Sequence, residues 1–238
     1  MIRAEYSAET DSLSRRLRDD GYALTPPTVA PDVLDALASV LTPLLQAEGE
    51  RGGVRHLLDL PSVQDLARSH PVRIVAEAAL GPGCFAVRGI LFDKTPAANW
   101  KVVWHQDITI AVRERREVVG FGPWSEKDGV PHVQPPISLL ERMVAVRVHL
   151  DDCGPENGPV RVIPRSHRVG RLSPDAVDAW KEGHDALDCV VPRGGILAFR
   201  PLTLHASSAA TEPAHRRVVH LEFAADALPG GLTWYHQI

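Results

Sequence analysis

The chain is poor in the features that mark several common classes of protein. It has only three cysteines, Cys84, Cys153 and Cys189, scattered and without a C-x-x-C pair. That argues against a disulfide framework or a zinc–thiolate site and fits small buried thiols in a reducing cytosol. No stretch approaches about 18 consecutive apolar residues, so no membrane span is expected. The opening MIRAEYSAETDSLSRRLRDDG contains no apolar run of the secretory kind. Nor does one sign of charge dominate. The 26 Lys and Arg against 30 Asp and Glu give a net charge of -4 and a pI near 6.2, which marks no nucleic-acid or anionic-membrane surface. Internal repeats and low-complexity tails are missing as well. These absences leave a soluble, cytoplasmic protein, monomer or homodimer, whose partner is a small-molecule substrate that its charge does not announce.

What is present is ordinary globular material: 238 residues, 44% hydrophobic and 24% charged, enough to bury one core as a single domain over 1–238. The first third, 1–82, reads as a helical lead. SAETDSLSRRLRDDG gives a helix with an early Ser/Thr/Asp cap and a stop at Gly21, followed by a short strand from Tyr22 to Leu24. A second helix places Val33, Leu34, Leu37, Val40, Leu41, Leu44 and Leu45 on one stripe, with Pro31 in its first turn and Gly49 past its end. One or two more helices end at Gly81. From 83 to 225 the texture becomes short β-prone runs between turn residues, which predicts an antiparallel sandwich or barrel with helices packed outside. Residues 113–142 carry little regular pattern and follow directly on a candidate site, as a lid insertion would. RERRE at 113–117 contains two glutamates, lies in an acidic chain and reads as a solvated loop.

Chemistry concentrates in WHQDITI. Residues i and i+2 of a strand share a face, so His105 and Asp107 can offer an imidazole nitrogen and a carboxylate oxygen to one point. Two histidines and one carboxylate on one face of an octahedron form the Fe(II) site that leaves positions open for substrate and oxygen. His205, which ends a β-prone run, is the best third ligand. Arg216, eleven residues on, can clamp a dicarboxylate through a planar two-point ion pair that lysine does not reproduce. Ser207 shares the strand face of His205 and can add a hydroxyl. Arg217 is the register alternative to Arg216, since adjacent strand residues point opposite ways.

His105-x-Asp107, His205, Ser207 and Arg216 together resemble the phytanoyl-CoA dioxygenase family of Fe(II)/2-oxoglutarate oxygenases. NGPVRVIPRSHRVGRL is similar to that family's Asn-Gly-x-hydrophobic-x-x-x-Pro-Gly-Ser-His segment, and MVAVRVHLDD to its strand ending in Leu-Asp. Arg165 departs from the pattern, standing where the family usually has glycine, and would be strained if the turn needs positive φ. The resemblance covers roughly residues 15–225. It implies a mainly β fold with N-terminal helices, a double-stranded β-helix (cupin-like jelly roll) flanked by α-helices, with its core at 83–225. It implies Fe(II) on His105, Asp107 and His205, with 2-oxoglutarate as cosubstrate held by Arg216 and Ser207. Dioxygen would be consumed, and succinate and CO2 released, as a C–H bond of a small metabolite is oxidised, with natural-product biosynthesis as a setting. An aspartate at 107 argues against halogenation.

For the substrate pocket, Arg147 and His149 share one face of MVAVRVHL, opposite Val144, Val146, Val148 and Leu150. They are expected to face a polar cavity or solvent. Trp124 and Lys127 in the 113–142 segment, and Lys94 on the strand before the metal pair, complete the candidates; for Lys94 a solvated position is the plainer reading. His56, His70, His184, His215 and His236 read as surface or loop residues, His220 as a core histidine and His167 as a turn residue. Two other functions fit the same ligands: a metal-dependent jelly-roll isomerase or hydrolase, and a non-catalytic small-molecule binding protein, both without 2-oxoglutarate chemistry.

Overall fold

The computed structural model describes the backbone of residues 2–48 and 53–238, and the side chains of 10–46 and 53–238. The helical lead comprises α1 (Ile2–Asp19), α2 (Pro31–Glu48), α3 (Pro61–Arg68) and α4 (His70–Leu80), with β1 (Tyr22–Leu24) and β2 (Gly53–Val54) between them. The backbone of α1 is helical from Ile2, ahead of the residues read as its cap, because Ala and Glu nearby favour the helix. Gly21 and Gly81 close α1 and α4 with φ near +84°, a conformation open chiefly to glycine. The expected stop at Gly49 lies outside the described residues. On α2, Leu34, Leu37 and Leu41 are buried, whereas Val33 and Val40 are exposed; the apolar stripe is narrower than the sequence suggests.

The β-rich part contains β3 (Phe85–Phe92), β4 (Val102–His105), β5 (Ile110–Ala111), β6 (Trp124–Lys127), β7 (Val130–Val133), β8 (Met143–His149), β9 (Val160–Val162), β10 (Leu187–Cys189), β11 (Ile196–Phe199), β12 (His205–Ser207) and β13 (Val218–Ala224). Two short helices, α5 (Ile137–Leu140) and α6 (Pro174–Gly183), interrupt it. The fold is mainly β. A six-stranded sheet in the order β1-β11-β8-β13-β3-β2 faces a four-stranded sheet in the order β10-β9-β12-β4. The strand pairings are antiparallel, in keeping with the expected jelly roll. Between the sheets lie Ala145, Leu197 and Phe199 from one and Val160, Val162 and Cys189 from the other.

Strand alternation decides what each face of the larger sheet does. Val144, Val146, Val148 and Leu150 turn outward under the helices with Val219, Leu221 and Phe223, sharing one core with Leu17, Leu34, Leu41 and Val72. The opposite face of the same strands is left for the interior between the sheets.

The 113–142 segment is more regular than its composition suggests. Strands β5, β7 and β6 form a third sheet, and β6 and β7 pair through Asp128 and Gly129, with φ of +49° and +76°. A two-residue Asp-Gly loop with both φ values positive is a type I′ hairpin turn. This sheet packs on a separate apolar cluster that includes Ile110, Val133, Leu140 and Trp234.

Candidate active site

The site begins with a pair of strand neighbours. β12 pairs with β4 so that His205 stands directly opposite His105, and their rings lie 4.2 Å apart between centroids. Each ring is held the same way: Nδ1 of His105 donates to the Val103 carbonyl at 2.8 Å, and Nδ1 of His205 to the Thr203 carbonyl at 2.9 Å. With the proton kept on Nδ1, the Nε2 lone pair of each ring is free for a metal, the usual arrangement around a ligating histidine. Asp107 is positioned by its own amide, which donates to the Pro201 carbonyl at 2.8 Å. Its carboxylate oxygens lie 3.7 Å from Nε2 of His105 and 3.6 Å from Nε2 of His205. One ligand atom from each of the three residues falls within 4.8 Å of the others, so the group can hold a metal ion.

Electrostatics agree with that geometry. Burial alone would raise the Asp107 carboxyl, but His205 and His105 beside it outweigh burial and hold it at about 2. Burial presses His205 down to about 4. His205 thus presents a neutral nitrogen and Asp107 an ionised oxygen, the protonation states in which such groups ligate.

They open into a cavity of about 240 Å³. Arg216, 3% exposed and just ahead of β13, also lines it. Its backbone N–H donates to Asp93 at 3.0 Å and Nη1 to the Gly158 carbonyl, while Nε has no hydrogen-bond partner among the described residues. Arg217, the register alternative, turns the other way and pairs with Asp151 at 2.6 Å. Ser207 lines the cavity beside Arg216, and Lys94 Nζ donates to Ser207 Oγ at 3.3 Å and to the Ser208 carbonyl. Lys94 is fully buried behind this wall and does not line the cavity, which corrects its reading as a solvated lysine or a substrate contact. Burial, and then the charge of Arg216, push it down to about 8. Among the described residues neither Lys94 nor Arg216 forms an ion pair.

Residues 17–218 match the family model for phytanoyl-CoA dioxygenase (PhyH). The chain belongs to the phytanoyl-CoA dioxygenase family. Three solved structures share its fold. AviO1 from Streptomyces viridochromogenes Tue57 is 24% identical, with 92% of this chain and 96% of that one covered and a TM-score of 0.67. EctD from S. alaskensis with bound Fe is 18% identical, covering 90% and 76%, with a TM-score of 0.69. SnoK, described as a non-heme alpha ketoglutarate dependent carbocyclase from nogalamycin biosynthesis, is 18% identical over 90% and 83%, with a TM-score of 0.69. No curated protein matches the sequence.

Where the phytanoyl-CoA dioxygenase pattern carries glycine before Ser-His, Arg165 takes up φ +68°, ψ -5°. The turn keeps its positive φ despite the arginine, whose N–H donates to the Asp20 carbonyl at 2.8 Å. Of the other substrate candidates, Arg147 and Lys127 line the cavity, while His149 and Trp124 do not. His149 shares the face of Arg147 but lies two residues, roughly 7 Å, further along β8, where it is buried with both ring nitrogens unpartnered among the described residues. Burial and the Arg147 charge keep it well below the usual histidine value. Trp124 packs with the third sheet's apolar cluster, its ring 5.6 Å from the Arg115 guanidinium.

A polar floor was missed from the sequence. Arg88 on β3 pairs with Glu222 on β13 at 3.0 Å, and Glu222 is 3.4 Å from Nε2 of His220. Arg147 donates to Nδ1 of His220 at 3.1 Å. A guanidinium only donates, so Nδ1 accepts and the ring proton points at Glu222. Burial would raise Glu222, but Arg88 and His220 outweigh it and lower its pKa. The signal was available: His220 and Glu222 alternate with the core residues Val219, Leu221 and Phe223.

Proposed function

We propose that this chain is an Fe(II)/2-oxoglutarate-dependent oxygenase that oxidises a C–H bond of a small-molecule metabolite while 2-oxoglutarate becomes succinate and CO2. The observation that carries this reading is one cavity holding both a two-histidine, one-carboxylate group and a buried arginine without an ion-pair partner. The donor set fits a first-row divalent metal: two imidazole nitrogens and one ionised carboxylate, with each ring oriented by a backbone carbonyl. Buried cations without anions are costly, so Arg216 and the Lys94 behind it call for a bound carboxylate. EctD solved with Fe, and with 2-oxoglutarate and 5-hydroxyectoine, lends the same fold a precedent.

In this reading His105, Asp107 and His205 hold the metal from one side and leave its other side to the cavity. Bound iron supplies the dioxygen chemistry that no side chain offers. Arg216 and Ser207 take the distal carboxylate of 2-oxoglutarate, and Lys94 fixes the Ser207 hydroxyl. Ile90, Phe92, Val102 and Val160 form apolar wall that limits water. At about 240 Å³, below the usual ~300–1,000 Å³ of ligand pockets, the space suits 2-oxoglutarate plus the reacting end of a compact substrate. Natural-product metabolism is the setting we favour.

The test is anaerobic addition of Fe(II) and 2-oxoglutarate. A weak visible charge-transfer band should form in the wild type and be lost in His105→Ala. In air, succinate should then accumulate with some member of a metabolite panel. Metal binding with neither band nor succinate would move the assignment to a metal-dependent isomerase or hydrolase.

A further inference from the structure

Two sets of charged side chains line the cavity or lie just behind its wall, alongside the triad. In the first, Lys94 and Arg147 feel the charge of Arg216. In the second, the charges that reach Lys127 are those of Arg88, Glu222, Arg55 and Asp107. The pairings in this second set can be assigned one by one. Arg88 is committed to Glu222 at 3.0 Å, and Arg55 to Asp128 at 2.8 Å. Lys127 has no such commitment: among the described residues it forms no ion pair, and its Nζ donates only to Thr109 Oγ1, at 3.1 Å. An ammonium carries three donors, so two are unspent on a side chain that lines the cavity.

The placement of Lys127 is set by its hairpin. It is the last residue of β6, immediately before the Asp128–Gly129 turn. That turn is tied to the segment after β2, through Arg55 to the Asp128 carboxylate and through Nε2 of His56, 3.3 Å from the Asp128 carbonyl. Half burial costs the ammonium part of its hydration, a cost that an anion beside it would offset.

We propose, building on the oxygenase reading, that Lys127 is a specificity-determining residue that binds a carboxylate of the primary substrate. The cavity thus selects small carboxylic acids, held by Lys127 rather than by Arg216. Glu222 and Arg88, already satisfied by each other, serve as its polar backing.

The test uses protein loaded with Mn(II) and saturating 2-oxoglutarate, which engages Arg216. Calorimetric titrations compare acids with their amides: benzoate with benzamide, cyclohexanecarboxylate with cyclohexanecarboxamide, and N-acetylalanine with its amide. At least one acid should bind ten times more tightly than its amide. Lys127→Met should abolish that preference and Lys127→Arg should keep it, with 2-oxoglutarate affinity unchanged within twofold in both. Amides binding as well as acids, no acid binding, or a preference that survives Lys127→Met would overturn the proposal. A preliminary titration of the Mn(II)-loaded wild type with 2-oxoglutarate that shows no binding marks instead the failure of the oxygenase reading, and the Lys127 assignment falls with it.

Discussion

Replacing Arg216 by methionine separates a cosubstrate site from a merely structural arginine. Nη1 of Arg216 is taken by the Gly158 carbonyl, and Nε is buried without a partner among the described residues. A guanidinium carries five N–H donors, so a carboxylate in the cavity should still find two parallel ones on Arg216. Charge-assisted hydrogen bonds contribute about 1.5–3 kcal/mol each, so the pair is worth roughly 3–6 kcal/mol, or about 10²- to 10⁴-fold in affinity. Arg216→Lys keeps the charge but not the planar fork; with one bond recovered, a deficit of about 10- to 100-fold should persist. The assay is calorimetric titration of Mn(II)-loaded protein with 2-oxoglutarate, repeated with pyruvate, which has the 2-oxo acid head and lacks the distal carboxylate. The loss should be confined to 2-oxoglutarate. An Arg216→Met protein within threefold of wild type, or one equally impaired toward pyruvate, would refute the argument.

Three further outcomes follow from the buried groups and the strained turn. Glu222→Leu should destabilise the fold by about 3–5 kcal/mol because it strands the Arg88 charge, whereas the Arg88→Met/Glu222→Leu double variant should recover most of that loss in urea denaturation. His132 is 1% exposed with Nε2 unpartnered among the described residues, and burial lowers its pKa from 6.5 to about 4. The unfolded chain therefore binds the extra proton first, so this stability is full above pH 6.5 and is lost as pH falls toward 4. The loss amounts to roughly 3 kcal/mol, and His132→Phe should flatten the acid limb of a stability–pH curve. Arg165→Gly should relieve an αL cost of about 1–2 kcal/mol and give back part of it as unfolded-chain entropy. A net gain of about 0.5–1 kcal/mol should appear as a higher melting temperature.

The residues most legible in the sequence are those governed by strand period and by fixed spacing. His105 and Asp107 do converge, although β4 ends at His105 and Asp107 is placed by its own amide on the Pro201 carbonyl rather than by the strand. Of the adjacent Arg216 and Arg217 only Arg216 lines the cavity, while Arg217 pairs with Asp151. Strand alternation would have exposed His220 and Glu222, yet their meaning depends on Arg88, 134 residues away from Glu222, and no local pattern announces that partner. His149 shows the limit of the face rule: it shares the side of Arg147 but stands beyond the cavity wall. The β6–β7 hairpin went unread although Lys-Asp-Gly-Val carries its turn signal, because proline and glycine on both sides masked the short strands. Likewise Pro174 behind the capping Ser173, whose Oγ accepts from the Ala176 amide at 3.3 Å, announces α6. Val33 and Val40 look like core by composition, and only the packing of α2 shows which side of the stripe meets the sheet.

The position of β4 has a consequence of its own. Among the described residues it is the outermost strand of its sheet, bonded to β12 alone, with the register shifting between His205 and Ser207. An outermost strand with a bulged partner is the natural place for a sheet to fray. The two imidazoles face each other across that seam, so an ion gripped by both would rivet the hem of the sheet to its neighbour. Metal loading should then slow amide exchange in β4 and β12 ahead of the six-stranded sheet, and uniform protection would count against it. The catalytic ion would double as the fastener of its own binding site.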